Sequence, residues 1–134
     1  MIADYTCAAD VVYYGFDPQN PNARFSAPNK LFEALAAGRP LITGDFGEIG
    51  EVVRTHECGI VLTQYSPSTI RDAFQVLSNP DTREEMARRA SQLGRSSLNW
   101  DAAGDTLSRE YSRLLPGLRR AAAAALSSVL AIGH

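Results

Sequence analysis

The chain has 134 residues, of which 45% are hydrophobic and 21% are charged. This length predicts one folded domain, and the hydrophobic fraction argues against disorder of the whole chain. Because 13 basic and 15 acidic side chains nearly balance, no long-range attraction to nucleic acid or to an anionic membrane is expected.

The two cysteines, Cys7 and Cys58, are far apart in the sequence and match no metal-binding spacing. No signal peptide opens the sequence, which indicates a cytoplasmic protein. We therefore expect two buried, reduced thiols rather than a disulfide. The longest apolar stretch, near the carboxyl terminus, is shorter than the ~20 residues of a transmembrane helix, so no membrane span is expected.

The first half of the chain alternates between strand-like and helix-like segments. Residues 3–10 have a helical composition, and residues 17–27 read as a polar loop. Short apolar runs predict three strands, and the intervening segments predict helices. The strands are Val11–Tyr14, Leu41–Thr43 and Gly59–Leu62; the helices between them are Pro28–Ala37, stopped by Gly38 and Pro40, and Ile49–Thr55. This alternation predicts parallel βαβ units with right-handed crossovers.

The chain is predicted to be helical from Ser66 onward. Ser66 is a candidate N-cap followed by Pro67, a second helix is expected near Pro80, and a third after Asn99. The third helix has one apolar stripe, which we expect in the core: Trp100, Ala103, Leu107, Tyr111 and Leu114. The predicted fold is therefore α/β: a partial Rossmann-like three-layer domain with about three parallel strands and a helical last third.

The alanine-rich segment after Leu115 forms a separate predicted element, a helix within residues 116–134. Arg119 and Arg120 precede its apolar part, so it could lie on a membrane surface. Its run of alanines makes the apolar face weak, and packing on protein is the preferred interpretation.

The helix over residues 28–37 carries the chemistry that points to a ligand. Asn29, Lys30 and Glu33 fall on one arc at 100° per residue, and the opposite arc is apolar. In open parallel sheets, ligands collect where the strands end and the following helices begin. A helix N-terminus suits a phosphate, Lys30 adds a cation, and Glu33 could accept hydrogen bonds from two ribose hydroxyls. A ribose carrying a diphosphate fits this arrangement.

A simpler interpretation explains the same polar arc. The outward face of an amphipathic helix is commonly just solvated, and helical periodicity alone does not separate the two interpretations.

The stretch Pro28-Asn-Lys-Leu-Phe-Glu-Ala-Leu-Ala-Ala-Gly-Arg-Pro-Leu-Ile-Thr43 closely resembles the donor-site helix and following strand of retaining GT-B-fold glycosyltransferases of the group 1 type. Further segments resemble the family in the same order over residues 3–115. They are Ala9-Asp-Val-Val12, Gly47-Glu-Ile-Gly-Glu-Val-Val53 (family pattern GGIPEVV), Cys58-Gly-Ile-Val-Leu62, the helices from Ser68 to Met86, Leu98-Asn-Trp100 and Tyr111–Leu115.

The resemblance implies a donor-binding set made of Asn29, Lys30, Leu31 and Glu33. Glu33 would hold the ribose hydroxyls, and backbone amides near Asn29 and Lys30 would meet the diphosphate of a nucleoside-diphosphate sugar. No metal and no cofactor are implied. The family commonly has an earlier glutamate that touches the transferred sugar, but this chain has Phe25 there, and Pro28 replaces a frequent glycine.

The resemblance covers only part of such an enzyme. Nothing matches the family's first, acceptor-binding domain, nor the strands that carry the basic pair neutralising the leaving diphosphate. The sequence therefore predicts residues 1–115 as a partial donor-binding domain, with its catalytic residues unassigned and the isolated chain inactive.

Two other interpretations stay open. The chain could be a non-catalytic interaction module, since the missing strands would leave a sheet edge free to pair with a second copy or with a separate partner chain. It could also be a gene fragment without independent activity.

Overall fold

The computed structural model describes residues 2–15, 21–25 and 27–115. The helix predicted over residues 116–134, with Arg119 and Arg120, lies outside the described residues. In chain order the elements are α1 (Ile2–Ala8), β1 (Val12–Tyr14), α2 (Pro21–Phe25), α3 (Asn29–Ala37), β2 (Leu41–Gly44), α4 (Gly47–His56), β3 (Gly59–Leu62), α5 (Pro67–Ser78), α6 (Pro80–Ser96) and α7 (Trp100–Leu114).

The described strands form one parallel sheet in the order β1-β2-β3. In the central strand, Leu41 lies opposite Val12 on one side and Gly59 on the other. Each connection between neighbouring strands contains a helix, as parallel pairing requires. The predicted α/β class, a partial Rossmann-like domain with a three-stranded parallel sheet flanked by helices, is confirmed.

Helices cover both faces of the sheet, because successive residues of a strand point to opposite sides. Leu41 joins a cluster formed with α3, α4 and α6, whose buried members are Leu31, Ala34, Leu35, Phe46, Ile49, Val53, Cys58, Ala90 and Leu93. Its neighbour Ile42 joins a smaller cluster on the α5 side of the sheet. The other buried members of this cluster are Leu62, Ala73 and Leu77. The result is the three-layer arrangement that the sequence predicts.

The first half of α6 lies near the amino ends of the strands. Its Arg83 approaches Asp10, just before β1, at 4.0 Å, and its Arg89 forms an ion pair with Glu57, just before β3. Met86 packs with the α5 cluster, whereas Ala90 packs with the α3 cluster. Helix α6 therefore contacts the clusters on both faces of the sheet, at the amino ends of the strands.

Local hydrogen bonds explain where α5 and α6 begin. The Ser66 hydroxyl accepts from the Thr69 N–H at 3.2 Å, and the Ser66 N–H donates to the Thr69 hydroxyl at 3.2 Å. This reciprocal arrangement is a capping box and confirms Ser66 as an N-cap. The Asn79 side chain accepts from the Thr82 N–H at 3.1 Å and so caps α6 in the same way.

Several local expectations are wrong. The loop predicted over residues 17–27 contains a short helix, α2, and α4 extends beyond both predicted ends. Cys7 is exposed rather than buried, although both cysteines are free thiols. Strand β1 is only partly buried, with Tyr13 42% exposed.

The apolar stripe of α7 is present, but it is not part of a core. The chain divides into two compact units, Met1–Asn99 and Trp100–His134, and α7 belongs to the second. No residue of α7 is buried, and Trp100 is 90% exposed. Periodicity identifies the apolar face of a helix, but it does not show whether that face is covered. Among the described residues, no helix is both long and apolar enough to cross a membrane.

Gly59 is required where β3 meets β2. A Cβ atom at this position would overlap the Leu41 carbonyl oxygen and lie 2.7 Å from the Leu41 nitrogen. Because backbone atoms of a central strand cannot move aside, Gly59→Ala should destabilise the protein by about 3 kcal/mol. Urea unfolding followed by circular dichroism measures this loss.

The same substitution at Gly104 provides the control. A Cβ atom there meets nothing within 4 Å, and alanine favours a helix over glycine by about 1 kcal/mol. Gly104→Ala should leave the unfolding midpoint unchanged or raise it. A wild-type midpoint for Gly59→Ala would contradict the close approach of the two strands.

Burial raises the pKa of the Cys58 thiol, because the thiolate would lose its hydration. Above the usual thiol pKa of about 8.5, the unfolded chain loses this proton while the folded chain keeps it. The unfolded state then binds fewer protons, so the free energy of unfolding should fall as the pH rises.

The contribution of Cys58 can be measured by urea unfolding between about pH 7.5 and 9.5, a range that spans the usual thiol pKa. Cys58→Ala should show a shallower decline of stability with pH than the wild type. Cys7→Ala, which removes the exposed thiol, should keep the wild-type slope. Equal slopes for Cys58→Ala and the wild type would disprove the assignment.

Candidate functional site

Helix α3 begins beside the carboxyl ends of the strands. It connects β1 to β2, which run parallel, so the chain leaves β1 at its carboxyl end and returns along α3 to the amino end of β2. The first turn of α3 therefore lies at the end of the sheet where parallel α/β domains bind ligands.

The N-terminus of α3 has no side-chain cap. Its N-cap residue, Pro28, is extended, with φ −71° and ψ 136°, and its side chain offers no acceptor. The Leu31 N–H donates to the Pro28 carbonyl at 3.0 Å. The N–H groups of Asn29 and Lys30 precede this bond and have no carbonyl partner within the helix. They add to the partial positive charge at this end of α3.

The polar arc of α3 contains an ion pair. The Lys30 ammonium donates to the Glu33 carboxylate, with 2.5 Å between Nζ and Oε2. The Lys30 and Glu33 side chains are 42% and 31% exposed, and Asn29 is exposed. The Glu33 carboxylate is therefore already in contact with a side chain of its own helix. The i, i+3 spacing of opposite charges was the signal for this contact.

Leu31 differs from the other three residues of the predicted set. It is 1% exposed and belongs to the α3 cluster in the core, so its side chain is not accessible to a ligand. Its N–H is already bonded to Pro28. The structure therefore brings Asn29, Lys30 and Glu33 together on the surface, while Leu31 attaches the same turn of α3 to the sheet.

The segment from Thr43 to Gly47 joins β2 to α4 and is buried at its start. Thr43 and Gly44 are buried, and the Thr43 hydroxyl has no hydrogen-bond partner in the part of the chain that the structure describes. Asp45 is accessible and forms an ion pair with Arg54 of α4. This pair, nine residues apart, had no signal in the sequence.

Phe25 stands where the resembling family commonly has a glutamate, and its side chain is 88% exposed at the end of α2. Helix α2 packs against α4, which also begins at the carboxyl ends of the strands. An uncharged ring therefore occupies the accessible position that a carboxylate would hold.

Other parts of the described surface offer different chemistry. Within residues 2–15, 21–25 and 27–115, no three His, Cys, Asp or Glu side chains form a metal-binding group. A depression of about 510 Å³ is lined by α6 residues, among them Arg88, Ser91 and Arg95. This half of α6 packs against α3: a Cβ atom at Gly94 would lie 2.8 Å from the Leu35 carbonyl oxygen.

Comparison with known proteins gives one family match. The family described as glycosyl transferases group 1 matches residues 26–93, a range that includes α3 and its polar arc. No solved structure matches the chain significantly.

Two kinds of curated relative are similar to the chain. An alpha-D-kanosaminyltransferase of Streptomyces kanamyceticus is 28% identical over 85 residues, which are 63% of this chain and 22% of the relative. Glycogen synthase of Mycobacterium tuberculosis is 29% identical over 89 residues, which are 66% of this chain and 22% of the relative. The matched stretch thus spans about a fifth of the length of these relatives.

Proposed function

The chain belongs to the glycosyl transferases group 1 family, and we propose that its part in sugar transfer is to bind the nucleoside-diphosphate sugar donor. The observation that carries this proposal is the arrangement of Asn29, Lys30 and Glu33. One cation, one carboxylate and an uncapped helix N-terminus lie together on the accessible arc of α3.

Each group of the arc has a role that follows from its chemistry. The N–H groups of Asn29 and Lys30 donate to phosphate oxygens, supported by the positive end of the helix. The Lys30 ammonium adds a point charge for the diphosphate. The Glu33 carboxylate, which only accepts hydrogen bonds, receives them from the two adjacent ribose hydroxyls. The rigid attachment of Leu31 to the core holds these groups at fixed spacing.

The reaction we propose for the whole enzyme is transfer of the sugar to an acceptor with retention at the anomeric carbon, without a metal ion in this domain. Breaking the bond between sugar and diphosphate places negative charge on the leaving oxygen, which donors and cations must stabilise. The described arc supplies binding groups for the diphosphate, and we assign no catalytic residue to it. The isolated chain should therefore bind the donor without transferring sugar.

Binding of the donor can be measured by calorimetric titration of the chain with UDP, GDP and ADP and with their sugar derivatives. Glu33→Ala should weaken the tightest of these ligands by about tenfold or more, since hydrogen bonds to a charged group contribute about 1.5–3 kcal/mol. Lys30→Met should weaken the same ligand.

The matched control is Glu51→Ala, which removes an exposed carboxylate from α4 and should leave the affinity unchanged. Urea unfolding of each variant checks that the fold is retained. The variants of Lys30 and Glu33 should lose little stability, because a partly exposed i, i+3 ion pair contributes only about 0.5 kcal/mol. Wild-type affinity of Glu33→Ala would refute the assignment of Glu33.

The edge strand favours a second candidate function, association with another chain. Strand β1 pairs only with β2 among the described strands, and an edge strand of a sheet is a common place for another chain to pair. Beside it, Tyr13 and Phe74 are 42% and 44% exposed, with their ring centroids 6.3 Å apart. Both features are typical of a surface that a further strand or a partner covers.

This second function predicts that the chain self-associates. Light scattering during size-exclusion chromatography should give twice the mass of 14.5 kDa, and Tyr13→Lys should return the chain to a monomer. Phe25→Lys, which changes an exposed aromatic residue elsewhere, should leave the mass unchanged. A monomeric wild type at high concentration would exclude homodimerisation.

A further inference from the structure

We propose that the ion pair between Lys30 and Glu33 makes the site select a complete nucleoside diphosphate over either of its parts. This inference rests on the proposed function of the α3 arc and adds a specificity device to it. In the ligand-free protein the two charges satisfy each other, so the site presents neither a free cation nor a free carboxylate.

The geometry of the pair supports this coupling. At 2.5 Å between Nζ and Oε2, the ammonium and the carboxylate are in direct hydrogen-bond contact. An anion that approaches Lys30 therefore meets the negative charge of Glu33 at almost the same distance. A ribose that approaches Glu33 likewise competes with Lys30 for the carboxylate. Each half of the ligand, taken alone, has to separate the pair.

Separation of the pair leaves one charge without a counter-ion. Within the described part of the chain, neither side chain has a second ion-pair partner. A pyrophosphate ion that captures Lys30 leaves Glu33 as an unpaired carboxylate beside a bound anion, and a nucleoside that captures Glu33 leaves Lys30 unpaired. These side chains are partly buried, where unpaired charge is less favourable than in open water.

A nucleoside diphosphate avoids both penalties. Its phosphate oxygens accept hydrogen bonds from Lys30 while its ribose hydroxyls donate to Glu33, so both charged groups gain new partners in the same binding event. The ion pair itself is easily opened, because exposed pairs at i, i+3 are weak. The pair thus disfavours partial ligands and places little cost on the complete one.

Lys30 is the sole lysine of the chain, which provides a specific probe. In the full chain labelled with ¹³C,¹⁵N-lysine, one set of side-chain resonances reports on this residue alone. Glu33→Gln should shift these resonances in the ligand-free protein, whereas Glu51→Gln on α4 should not. Addition of inorganic pyrophosphate should then bring the wild-type and Glu33→Gln resonances closer together, because Lys30 has left Glu33.

Affinity measurements give the decisive result. Glu33→Gln should bind inorganic pyrophosphate about twofold more tightly than the wild type, the factor that corresponds to a partly exposed ion pair at i, i+3. The same variant should bind the nucleoside diphosphate more weakly. Opposite changes for the two ligands are the signature of the ion pair, and Glu51→Gln should show neither change.

A double-mutant cycle separates this effect from plain repulsion between Glu33 and the anion. If Glu33→Gln acts by releasing Lys30, its gain in pyrophosphate affinity should vanish when Lys30 is methionine. If neither Lys30→Met nor the double variant Lys30→Met/Glu33→Gln binds pyrophosphate detectably, the gain in affinity has vanished as expected. A gain that persists without Lys30 overturns the inference.

Failure of the inference can be distinguished from failure of the proposed function. If Glu33→Gln weakens the nucleoside diphosphate but does not tighten pyrophosphate, donor binding stands and the coupling is wrong. If no nucleoside diphosphate binds the wild type, the proposed function fails. In that case the lysine resonances and the pyrophosphate titration still decide whether Glu33 restrains Lys30.

Discussion

The central strand β2 is the element on which the rest of the described structure depends. Its four residues are all buried, and it pairs with β1 on one side and β3 on the other. Leu41 and Ile42 place adjacent side chains in the two clusters on opposite faces of the sheet. Because β2 is parallel to both neighbours, α3 and α4 have to begin at its carboxyl end, which determines where the polar residues of α3 can lie.

The short helix α3 has a buried apolar face and an outward polar face. Leu31, Ala34 and Leu35 are buried against the sheet and α6, and burying a leucine side chain contributes about 2 kcal/mol. That packing fixes the rotation of the helix about its axis, so Lys30 and Glu33 must face outward. Gly38, with φ 61°, ends the helix by donating to the Leu35 carbonyl at 3.1 Å. The position of the ion pair is thus a consequence of the core.

Features that depend on local sequence were predictable, and features that depend on distant partners were not. The three strands and the capping role of Ser66 follow from β-branched runs and from a short-range hydrogen bond. The burial of Thr43 and the pairing of Asp45 with Arg54 depend on how β2 and α4 pack. The exposure of Trp100 shows the same limit, because the stripe on α7 is visible in the sequence and the extent of its burial is not. At the site, the i, i+3 spacing of Lys30 and Glu33 was visible, but its effect on the carboxylate required the structure.

The charges of the α3 arc suit the donor binding that we propose and do not suit catalysis. Lys30 and Glu33 sum to zero, and the helix N-terminus adds only about half of a positive charge. A nucleoside diphosphate leaving group carries at least two negative charges, so the donor binding that we propose for this arc would not neutralise the charge that develops when the sugar departs. Arg54 of α4, a cation that follows the neighbouring strand β2, is already paired with Asp45. Under the proposed function, the groups that stabilise the leaving diphosphate therefore lie outside the arc.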